Sequence, residues 1–353
     1  MKKSTANPFT ISFGLRPENY IRRQDLKDRL INAFLSDPSP THNYMITGVR
    51  GSGKTSFMTD IADFFNEKEQ WIVIDLNPER DMLKSLAVQL YSHEKYLHIR
   101  DMLHLNISLP FVGLSAGDDP LAGDTEILLS KLLSGLENGS KKLLITIDEA
   151  VNNSFVKVFA AEFQGFLRKE YPVFLIMTGL YENIRELQNE KSLTFLYRSP
   201  RISLESLSLI AIKTSYKRIF ELKDEMAAKM SSITMGYPFA YQILGYFYWE
   251  YREQESFDQI ITRFELYLYE YAYEKIWSEL SRNDRAVLRT MAETNLSDVT
   301  EIRRQAGMKS NEFSVYRKRL LDKGVVIAPA YSQIIFALPR FGGFVKEMSF
   351  FEI

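Results

Sequence analysis

Residues 48–55 read G-V-R-G-S-G-K-T and satisfy every position of the phosphate-binding loop pattern G-x-x-x-x-G-K-[ST]. The loop follows a short apolar run at residues 44–47 and precedes residues 56–65, whose apolar side chains recur at helical spacing. A glycine-rich loop between a strand and a helix N-terminus is suited to hold phosphate groups. The motif therefore predicts an α/β core that binds a nucleoside triphosphate; the alternative is a glycine-rich turn without a ligand.

The residue types in the loop match the chemistry of a phosphate site. Gly48, Gly51 and Gly53 let the backbone adopt positive φ and approach the ligand, so that consecutive N–H groups surround phosphate oxygens. The following helix N-terminus adds partial positive charge, and Lys54 is expected to reach the β- and γ-phosphates. The Thr55 hydroxyl is expected to ligate Mg²⁺. The loop residues predicted to bind nucleotide are Gly48, Val49, Arg50, Gly51, Ser52, Gly53, Lys54, Thr55 and Ser56.

Composition places the chain among ordinary globular proteins. Its 353 residues predict two or three domains, and 45% hydrophobic and 25% charged residues are typical of packed cores with a polar surface. The net charge of −1 gives no global attraction to nucleic acid or membrane. Cysteine is absent, which excludes disulfides and thiolate metal sites, and the four histidines lack the spacing of a shared metal site. Without an uncharged apolar run of about 18 residues, we expect a cytoplasmic protein with no membrane partner.

Three further apolar runs rich in β-branched residues predict buried strands of a parallel sheet, at residues 71–76, 141–149 and 171–179. The second run ends in Asp148 and Glu149, at the end of the strand where ligands of open α/β sheets bind. In this Walker B pattern Asp148 would hold Mg²⁺, and Glu149 would orient and polarise the attacking water. Thr178 is either a sensor of the γ-phosphate or the cap of the next helix. Residues 106–124 are rich in Gly, Pro and Asp and predict an exposed insertion.

Residues 13–24 read F-G-L-R-P-E-N-Y-I-R-R-Q and combine an aromatic residue, Gly, Arg and Glu ahead of the first helical pattern. Together with the loop and the acidic strand end, this segment resembles the AAA+ and STAND branch of P-loop ATPases, near bacterial and archaeal proteins related to the origin-recognition initiator ATPases. The resemblance spans most of the chain and implies that residues 13–24 lie beside the adenine. Arg22 stands where the family usually has Gly, and Gln24 where it usually has Glu. The residues that match in kind, and are implied to contact nucleotide, are Tyr20, Ile21 and Arg23.

The same resemblance implies contacts downstream of Thr178. Residues 193–202 resemble the family segment that carries an arginine toward a nucleotide, often in a neighbouring subunit. Arg198 is the first candidate and Arg201 the second, and a surface arginine paired with a carboxylate is the alternative. Residues 236–240, G-Y-P-F-A, resemble the Gly-x-Pro motif of STAND proteins, in which the proline, here Pro238, packs near the base. The sensor-2 arginine of typical AAA+ ATPases has no clear counterpart, which implies a slow switch.

The C-terminal pattern predicts a small winged helix, with helices at residues 283–294, 299–306 and 310–323 and wing strands at residues 325–329 and 333–338. Residues 281–353 contain twelve Lys and Arg against eight Asp and Glu, a local positive excess. On the third helix, Ser314, Arg317 and Lys318 are predicted to face solvent because its apolar residues recur at helical spacing. Contact with double-stranded DNA is the first interpretation of this surface, and docking of a protein is the alternative.

These features predict an α/β P-loop core at residues 1–203, a helical lid at 204–280 and a winged helix at 281–353. The first functional hypothesis is a slow ATPase switch that binds ATP or ADP with Mg²⁺ and whose nucleotide state controls a DNA-contacting winged helix. Its predicted catalytic residues are Lys54, Glu149 and Arg198. The second hypothesis is a signalling or scaffold ATPase whose nucleotide state drives self-association or capture of a protein partner. A third, a nucleotide-binding structural protein with negligible turnover, is disfavoured by the intact Walker residues.

Overall fold

The computed structural model describes residues 6–12, 14, 16–102, 122–191 and 193–351. The chain divides into two compact units. The sheet unit comprises residues 24–47 and 57–203, and the helical unit comprises residues 1–23, 48–56 and 204–353. Most of the predicted insertion at residues 106–124, together with Phe13, Leu15 and His104, lies outside the described residues.

A five-stranded parallel sheet forms the core of the sheet unit, in the order β2-β3-β4-β1-β5. Strand β4 lies between β1 and β3. Its Gly179 pairs with Thr47 of β1, and its Met177 pairs with Ile147 of β3. The carboxyl ends of these three strands therefore lie at one edge of the sheet. The strands are β1 (Asn43–Thr47), β2 (Trp71–Asp75), β3 (Lys142–Ile147), β4 (Val173–Gly179) and β5 (Arg201–Ser203).

Helices pack on both faces of this sheet, as nearly continuous apolar strands require. On one face the aromatic rings of Phe34, Phe65, Trp71 and Phe174 meet, with centroid distances of 4.9 Å for Phe34–Phe174 and 4.2 Å for Phe65–Trp71. On the other face strand residues such as Ile145 belong to a buried cluster with residues of the helices. The helices are α1 (Gln24–Leu35), α2 (Lys54–Asn66), α3 (Met82–Ser92), α4 (Glu94–Met102), α5 (Ala122–Asn138), α6 (Ser154–Arg168), α7 (Tyr181–Gln188) and α8 (Thr194–Arg198).

In the helical unit, the N-terminal segment packs against a helical bundle. Phe9 is buried and packs 5.5 Å from the ring centroids of both Phe220 and Tyr241. A Cβ atom at Gly245 would overlap the Phe9 ring, so this glycine gives the segment room to pack against the bundle. The bundle consists of α9 (Leu209–Phe220), α10 (Asp224–Ile233), α11 (Pro238–Tyr251), α12 (Phe257–Leu268), a π-helical turn (Tyr269–Tyr273) and α13 (Glu274–Ser278).

The C-terminal module, residues 281–353, has three helices followed by a short antiparallel hairpin, the element order expected for a winged helix. Ser281 caps the first helix and forms a capping box with Asp284. The third helix begins at Ser310, the predicted first residue, and Lys309 occupies its N-cap position without a side-chain capping hydrogen bond. The elements are α14 (Arg282–Thr294), α15 (Val299–Gln305), α16 (Ser310–Asp322), β6 (Val326–Ile327), β7 (Ile335–Phe336) and α17 (Phe341–Phe351).

The bundle and the C-terminal module share one hydrophobic core. Tyr273, in the π-helical turn, is fully buried, lies 4.9 Å from the Phe341 ring and donates a hydrogen bond of 2.5 Å to the carbonyl of Pro339. Tyr269 lies 5.2 Å from the Phe344 ring. The extra residue of a π-helical turn shifts the following side chains around the helix axis, and here both tyrosines pack against α17. Within the described residues, every helix is too short or too polar to cross a membrane.

Candidate nucleotide-binding site

Two of the three loop glycines have the positive φ that the sequence predicts, and Gly48 does not. Gly51 and Gly53 adopt positive φ values of 75° and 86°, which only glycine accommodates without strain. A Cβ atom at Gly48 would overlap the Ser52 hydroxyl, so the first glycine is required by close packing of the loop on itself. Helix α2 begins at Lys54, directly after the last glycine. Its first N–H groups have no partner within the helix and carry the positive end of the helix dipole.

Three consecutive carbonyl groups of the loop are held by residues of the helical unit. The carbonyl of Arg50 accepts a hydrogen bond of 2.6 Å from the Tyr237 hydroxyl, and that of Gly51 accepts one of 3.2 Å from the Phe239 amide. The Ser52 carbonyl accepts one of 3.3 Å from the Arg23 guanidinium. In a trans peptide the C=O and the next N–H point in opposite directions. The loop amides are therefore turned away from these three partners.

The loop amides that remain to bind a ligand belong to Gly51 and Gly53. Ser52 N–H closes a turn onto the Val49 carbonyl at 3.1 Å. Across the part of the chain that the structure describes, the amides of Gly51 and Gly53 donate no hydrogen bond. Exposed backbone N–H groups next to a helix N-terminus form a concave anion-binding site. The loop thus has the donors that phosphate oxygens need.

Lys54 folds back over the loop. Its ammonium donates hydrogen bonds of 3.1 Å to the Gly48 carbonyl and 3.2 Å to the Val49 carbonyl. The ammonium therefore lies beside the first two residues of the loop, where its charge complements an anion. Thr55 and Ser56 follow in the first turn of α2 and are partly buried. The Thr55 hydroxyl is an oxygen donor of the type that Mg²⁺ prefers.

The acidic end of β3 is organised by Thr178, a fully buried residue near the end of β4. The Thr178 hydroxyl donates a hydrogen bond to the Asp148 carboxylate and accepts one of 3.3 Å from the Glu149 amide. The Glu149 amide also lies 3.1 Å from the Asp148 carboxylate. Thr178 does not cap α7, whose N-cap is Leu180 without a side-chain hydrogen bond. Of the two predicted roles, the capping role is therefore wrong.

Glu149 has an unusual backbone conformation for a glutamate, with φ of 51°. A non-glycine residue in the left-handed region costs about 1–3 kcal/mol and persists where surrounding contacts enforce it. Here the amide of Glu149 is fixed by Asp148 and Thr178, and its side chain is exposed. The turn therefore presents a charged carboxylate to solvent at the carboxyl edge of the sheet.

Asp75 is a neighbour of this acidic cluster that the sequence analysis missed. It ends β2 and accepts a hydrogen bond of 2.8 Å from the Thr146 hydroxyl on β3. Burial raises the pKa of the Asp75 carboxyl, and the negative charge of Asp148 adds to the rise. The sequence contains a pattern that points to Asp75. Like the run that precedes Glu149, β2 is an apolar strand that ends in an aspartate at the same edge of the sheet.

The N-terminal segment reaches the phosphate loop through Arg23. Besides the Ser52 carbonyl, Arg23 donates to the Glu205 carbonyl, and burial lowers the pKa of its guanidinium. Ile21 is partly buried against the core of the helical unit. The Tyr20 amide donates a hydrogen bond of 3.2 Å to the Pro17 carbonyl. Among Tyr20, Ile21 and Arg23, it is for Arg23 that the described residues show a hydrogen bond from the side chain to the loop.

Pro238 also lies next to the loop. It is the first residue of α11, where proline is well tolerated because its missing N–H would have no helical partner. A Cβ atom built on Gly53 would lie 3.9 Å from the Pro238 Cβ. Gly236, two residues earlier, has φ of 77°, and a Cβ there would lie 2.5 Å from the Leu207 carbonyl. The Gly-x-Pro segment is therefore fixed between α10 and the phosphate loop.

Arg198 lies at the end of α8 in the sheet unit and is exposed. Within the described ranges it forms no ion pair with a carboxylate, unlike the surface pairs that were the alternative for this residue. Arg201 is also exposed, and its guanidinium stacks 5.0 Å from the Tyr181 ring. Arg198 is thus the arginine of this segment that is available to a partner.

The third helix of the C-terminal module differs in detail from the prediction. Ser314 and Lys318 are exposed as predicted, and the Ser314 hydroxyl bonds to the Ser310 carbonyl at 2.7 Å. Arg317 is partly buried and donates a hydrogen bond of 3.1 Å to the Tyr331 carbonyl at the wing tip. Arg319 forms an ion pair of 2.7 Å with the buried Asp284, so it stabilises the module. The surface that remains for a partner contains fewer free cations than the sequence suggests.

Comparisons with known proteins agree with this fold. Residues 270–345 match a family described as a domain of unknown function (DUF8462). None of the curated proteins compared matches the sequence. The structure is similar to the Walker-type ATPase paby2304 of Pyrococcus abyssi, with 16% identity, a TM-score of 0.64 and coverage of 94% of this chain and 97% of that chain. It is also similar to the ORC2 protein of Aeropyrum pernix in its ADPNP–ADP complexes, with 15% identity, a TM-score of 0.58 and coverage of 98% and 99%.

The chain therefore has the α/β fold of Walker-type P-loop ATPases, as the phosphate loop and the strand pattern predict. Within that class, its fold is shared with an origin-recognition protein along nearly the whole length of both chains. The predicted resemblance to the origin-recognition ATPases is confirmed at the level of the fold.

Proposed function

We propose that this protein is an ATP-dependent switch that binds ATP with Mg²⁺ at the phosphate loop and hydrolyses it slowly. The observation that carries the proposal is the orientation of the loop, in which the carbonyls of Arg50, Gly51 and Ser52 are all held and the glycine amides are left as donors. Adenine is the favoured base because the ORC2 protein of similar fold was solved with ADPNP and ADP.

The roles of the charged residues follow from their chemistry. Lys54 supplies a mobile cation to the β- and γ-phosphates, and Thr55 and Asp148 hold Mg²⁺. When bound, Mg²⁺ neutralises charge on the phosphate oxygens. Arg198, exposed and without a carboxylate partner in the described structure, supplies a guanidinium to a nucleotide, including that of a second copy of the chain.

Glu149 orients the water that attacks the γ-phosphate. Asp148 and Thr178 fix its backbone, and its exposed carboxylate is free to accept the proton. The Glu149→Gln variant should bind ATP with wild-type affinity and release phosphate about 10²–10⁴ times more slowly. Phosphate release at the wild-type rate in this variant would favour a nucleotide-binding protein whose turnover is incidental.

We further propose that the nucleotide state controls contact of the C-terminal module with double-stranded DNA. The positive excess of residues 281–353 and the exposed Ser314 and Lys318 on α16 support this part. The test is fluorescence anisotropy of labelled duplex DNA with no nucleotide, ADP or a non-hydrolysable ATP analogue, over a salt series. Binding should depend on the nucleotide, weaken with salt, and lose about one unit of salt slope in Lys318→Ala.

The matched control is Lys191→Ala, which removes one exposed lysine from the sheet unit. It should bind DNA like the wild type. Equal binding by the wild type in all nucleotide states, or equal loss in both variants, would contradict control of DNA contact by nucleotide.

Protein docking is the second candidate function of the module. Arg317 bonds to the wing tip and Arg319 to Asp284, which reduces the cations available to a groove of DNA. If this function is correct, DNA binding is absent at low salt and the sedimentation coefficient of the protein increases on addition of the ATP analogue. A sedimentation coefficient independent of nucleotide would count against self-association.

A further inference from the structure

A buried tyrosine of the bundle contacts the phosphate loop from its carbonyl side. Tyr237 is 2% exposed, and its hydroxyl donates a hydrogen bond of 2.6 Å to the Arg50 carbonyl. Burial raises the pKa of this hydroxyl well above its ordinary range. The group therefore stays protonated at neutral pH and remains a hydrogen-bond donor.

The loop has a gap that the Tyr237 hydroxyl fills. Gly51 occupies a variable position of the G-x-x-x-x-G-K-[ST] pattern, so the phosphate motif itself does not require glycine there. A Cβ atom at Gly51 would overlap the Tyr237 hydroxyl and would lie 2.9 Å from the Phe239 Cβ. The absence of a side chain at Gly51 and the presence of the hydroxyl at Tyr237 are complementary.

The backbone around Tyr237 is itself firmly held. Its amide donates to the Thr234 carbonyl at 2.9 Å, and the next two residues begin α11. Phe239, the second residue of α11, donates its amide to the Gly51 carbonyl at 3.2 Å. Two successive loop carbonyls are thus bound by one rigid segment, which fixes the two peptide planes they belong to.

We propose that Tyr237 is a positioning residue for nucleotide binding: its hydroxyl holds the Arg50 carbonyl so that the Gly51 amide is directed at the polyphosphate. This inference rests on the proposed function of the loop and adds the residue that pre-organises it. Without the hydroxyl, the Arg50–Gly51 peptide is free to rotate, and binding must then order it. The same contact ties the position of α11 to the conformation of the loop.

The test is the Tyr237→Phe variant, which removes one oxygen and keeps the ring. Its Kd for ADP, measured by titration calorimetry, should rise about tenfold, because one buried hydrogen bond contributes about that factor. The matched control is Tyr216→Phe. Tyr216 is fully buried in the same unit, and its hydroxyl donates 2.7 Å to the carbonyl of Tyr241, in a helix instead of the loop. Tyr216→Phe should lose similar thermal stability and keep the wild-type Kd.

Hydrogen exchange separates this inference from the proposed function. In the absence of nucleotide, the amides of residues 48–55 should exchange faster in Tyr237→Phe than in the wild type and in Tyr216→Phe. This result is expected even if the wild type binds no ADP, in which case the proposed function fails and the positioning of the loop by Tyr237 stands. Equal exchange of the loop in both variants, or equal Kd values for ADP in both, would overturn the inference.

Discussion

The hydroxyl of Thr178 connects two residues that are expected to act on a nucleotide. It donates to the Asp148 carboxylate and accepts the Glu149 amide, at a position fully shielded from solvent. Sequence patterns predicted Thr178, Asp148 and Glu149 separately, because each ends an apolar strand. They could not predict that one hydroxyl bonds to both, since this depends on β3 and β4 being neighbours.

Replacing Thr178 by Val removes this hydroxyl with little change in shape. We expect phosphate release to fall by about 10–100-fold, because Asp148 and Glu149 lose their shared partner, while the Kd for ADP changes less than about twofold. The free energy of unfolding should be about 1–3 kcal/mol lower than that of the wild type. The control is Thr146→Val, which removes a buried hydroxyl on β3 that bonds to Asp75. A turnover rate equal to that of Thr146→Val would contradict a role for Thr178 beyond packing.

Asp75 predicts a pH dependence of stability. Its pKa is raised in the folded state by burial and then by Asp148, so folding favours its protonated form. The contribution of Asp75 to stability is greatest at a pH below the unfolded-state pKa and is lost as the pH rises through the folded-state value. Asp75→Asn should therefore be more stable than the wild type at pH 7 and equally stable near pH 3.5. Urea unfolding at both pH values measures this, and a lower stability of Asp75→Asn at pH 7 would contradict it.

At the scale of elements, the strands and helices with strong patterns were predictable. The four strands β1 to β4 were found from continuous apolar runs, and α2 from helical spacing after the loop. Strand β5 was missed, because three residues, Arg201–Ser203, carry too little pattern to distinguish a strand from a loop. The wing strands are shorter than predicted, since only Val326–Ile327 and Ile335–Phe336 pair in the ladder.

Helices α1 and α2 are joined by a buried ion pair that the sequence did not indicate. The Lys27 ammonium lies 3.0 Å from the Asp60 carboxylate, and their side chains are only 11% and 4% exposed. Lys27→Met should lower the free energy of unfolding by about 3–5 kcal/mol, because it removes a buried cation that lies beside a buried carboxylate. The control, Lys213→Ala, breaks an exposed pair with Asp224 and should cost less than about 1 kcal/mol. Similar losses in the two variants, measured by urea unfolding, would contradict this account.

At the scale of the whole molecule, the phosphate loop packs as part of the helical unit. Arg50 lies 3.7 Å from Glu279 at the end of α13, and a Cβ at Gly324 in the C-terminal module would lie 3.5 Å from the Val49 Cβ. The two variable residues Val49 and Arg50 therefore contact the C-terminal module and the helix before it. No sequence pattern predicts such contacts, because they join segments more than 200 residues apart. The division into three domains at residues 203/204 and 280/281 stays a prediction.

The shared core of the bundle and the C-terminal module predicts cooperative unfolding of the helical unit. Phe341 is fully buried and packs against Tyr273 and Phe344. Phe341→Ala should cost about 3–5 kcal/mol through the cavity it leaves. It should also reduce hydrogen-exchange protection in both α11 and α14. Loss of protection in α14 alone would show that the module unfolds independently.

The central claim is that the phosphate loop binds a nucleotide, and titration calorimetry with ADP and with a non-hydrolysable ATP analogue, each with Mg²⁺, tests it most directly. We expect saturable binding of one nucleotide per chain, about 100-fold or more weaker in Lys54→Ala and unchanged in Lys191→Ala, with the circular dichroism of all three proteins alike. Absence of binding to the wild type at about 1 mM nucleotide, or equal affinity in Lys54→Ala, would contradict it.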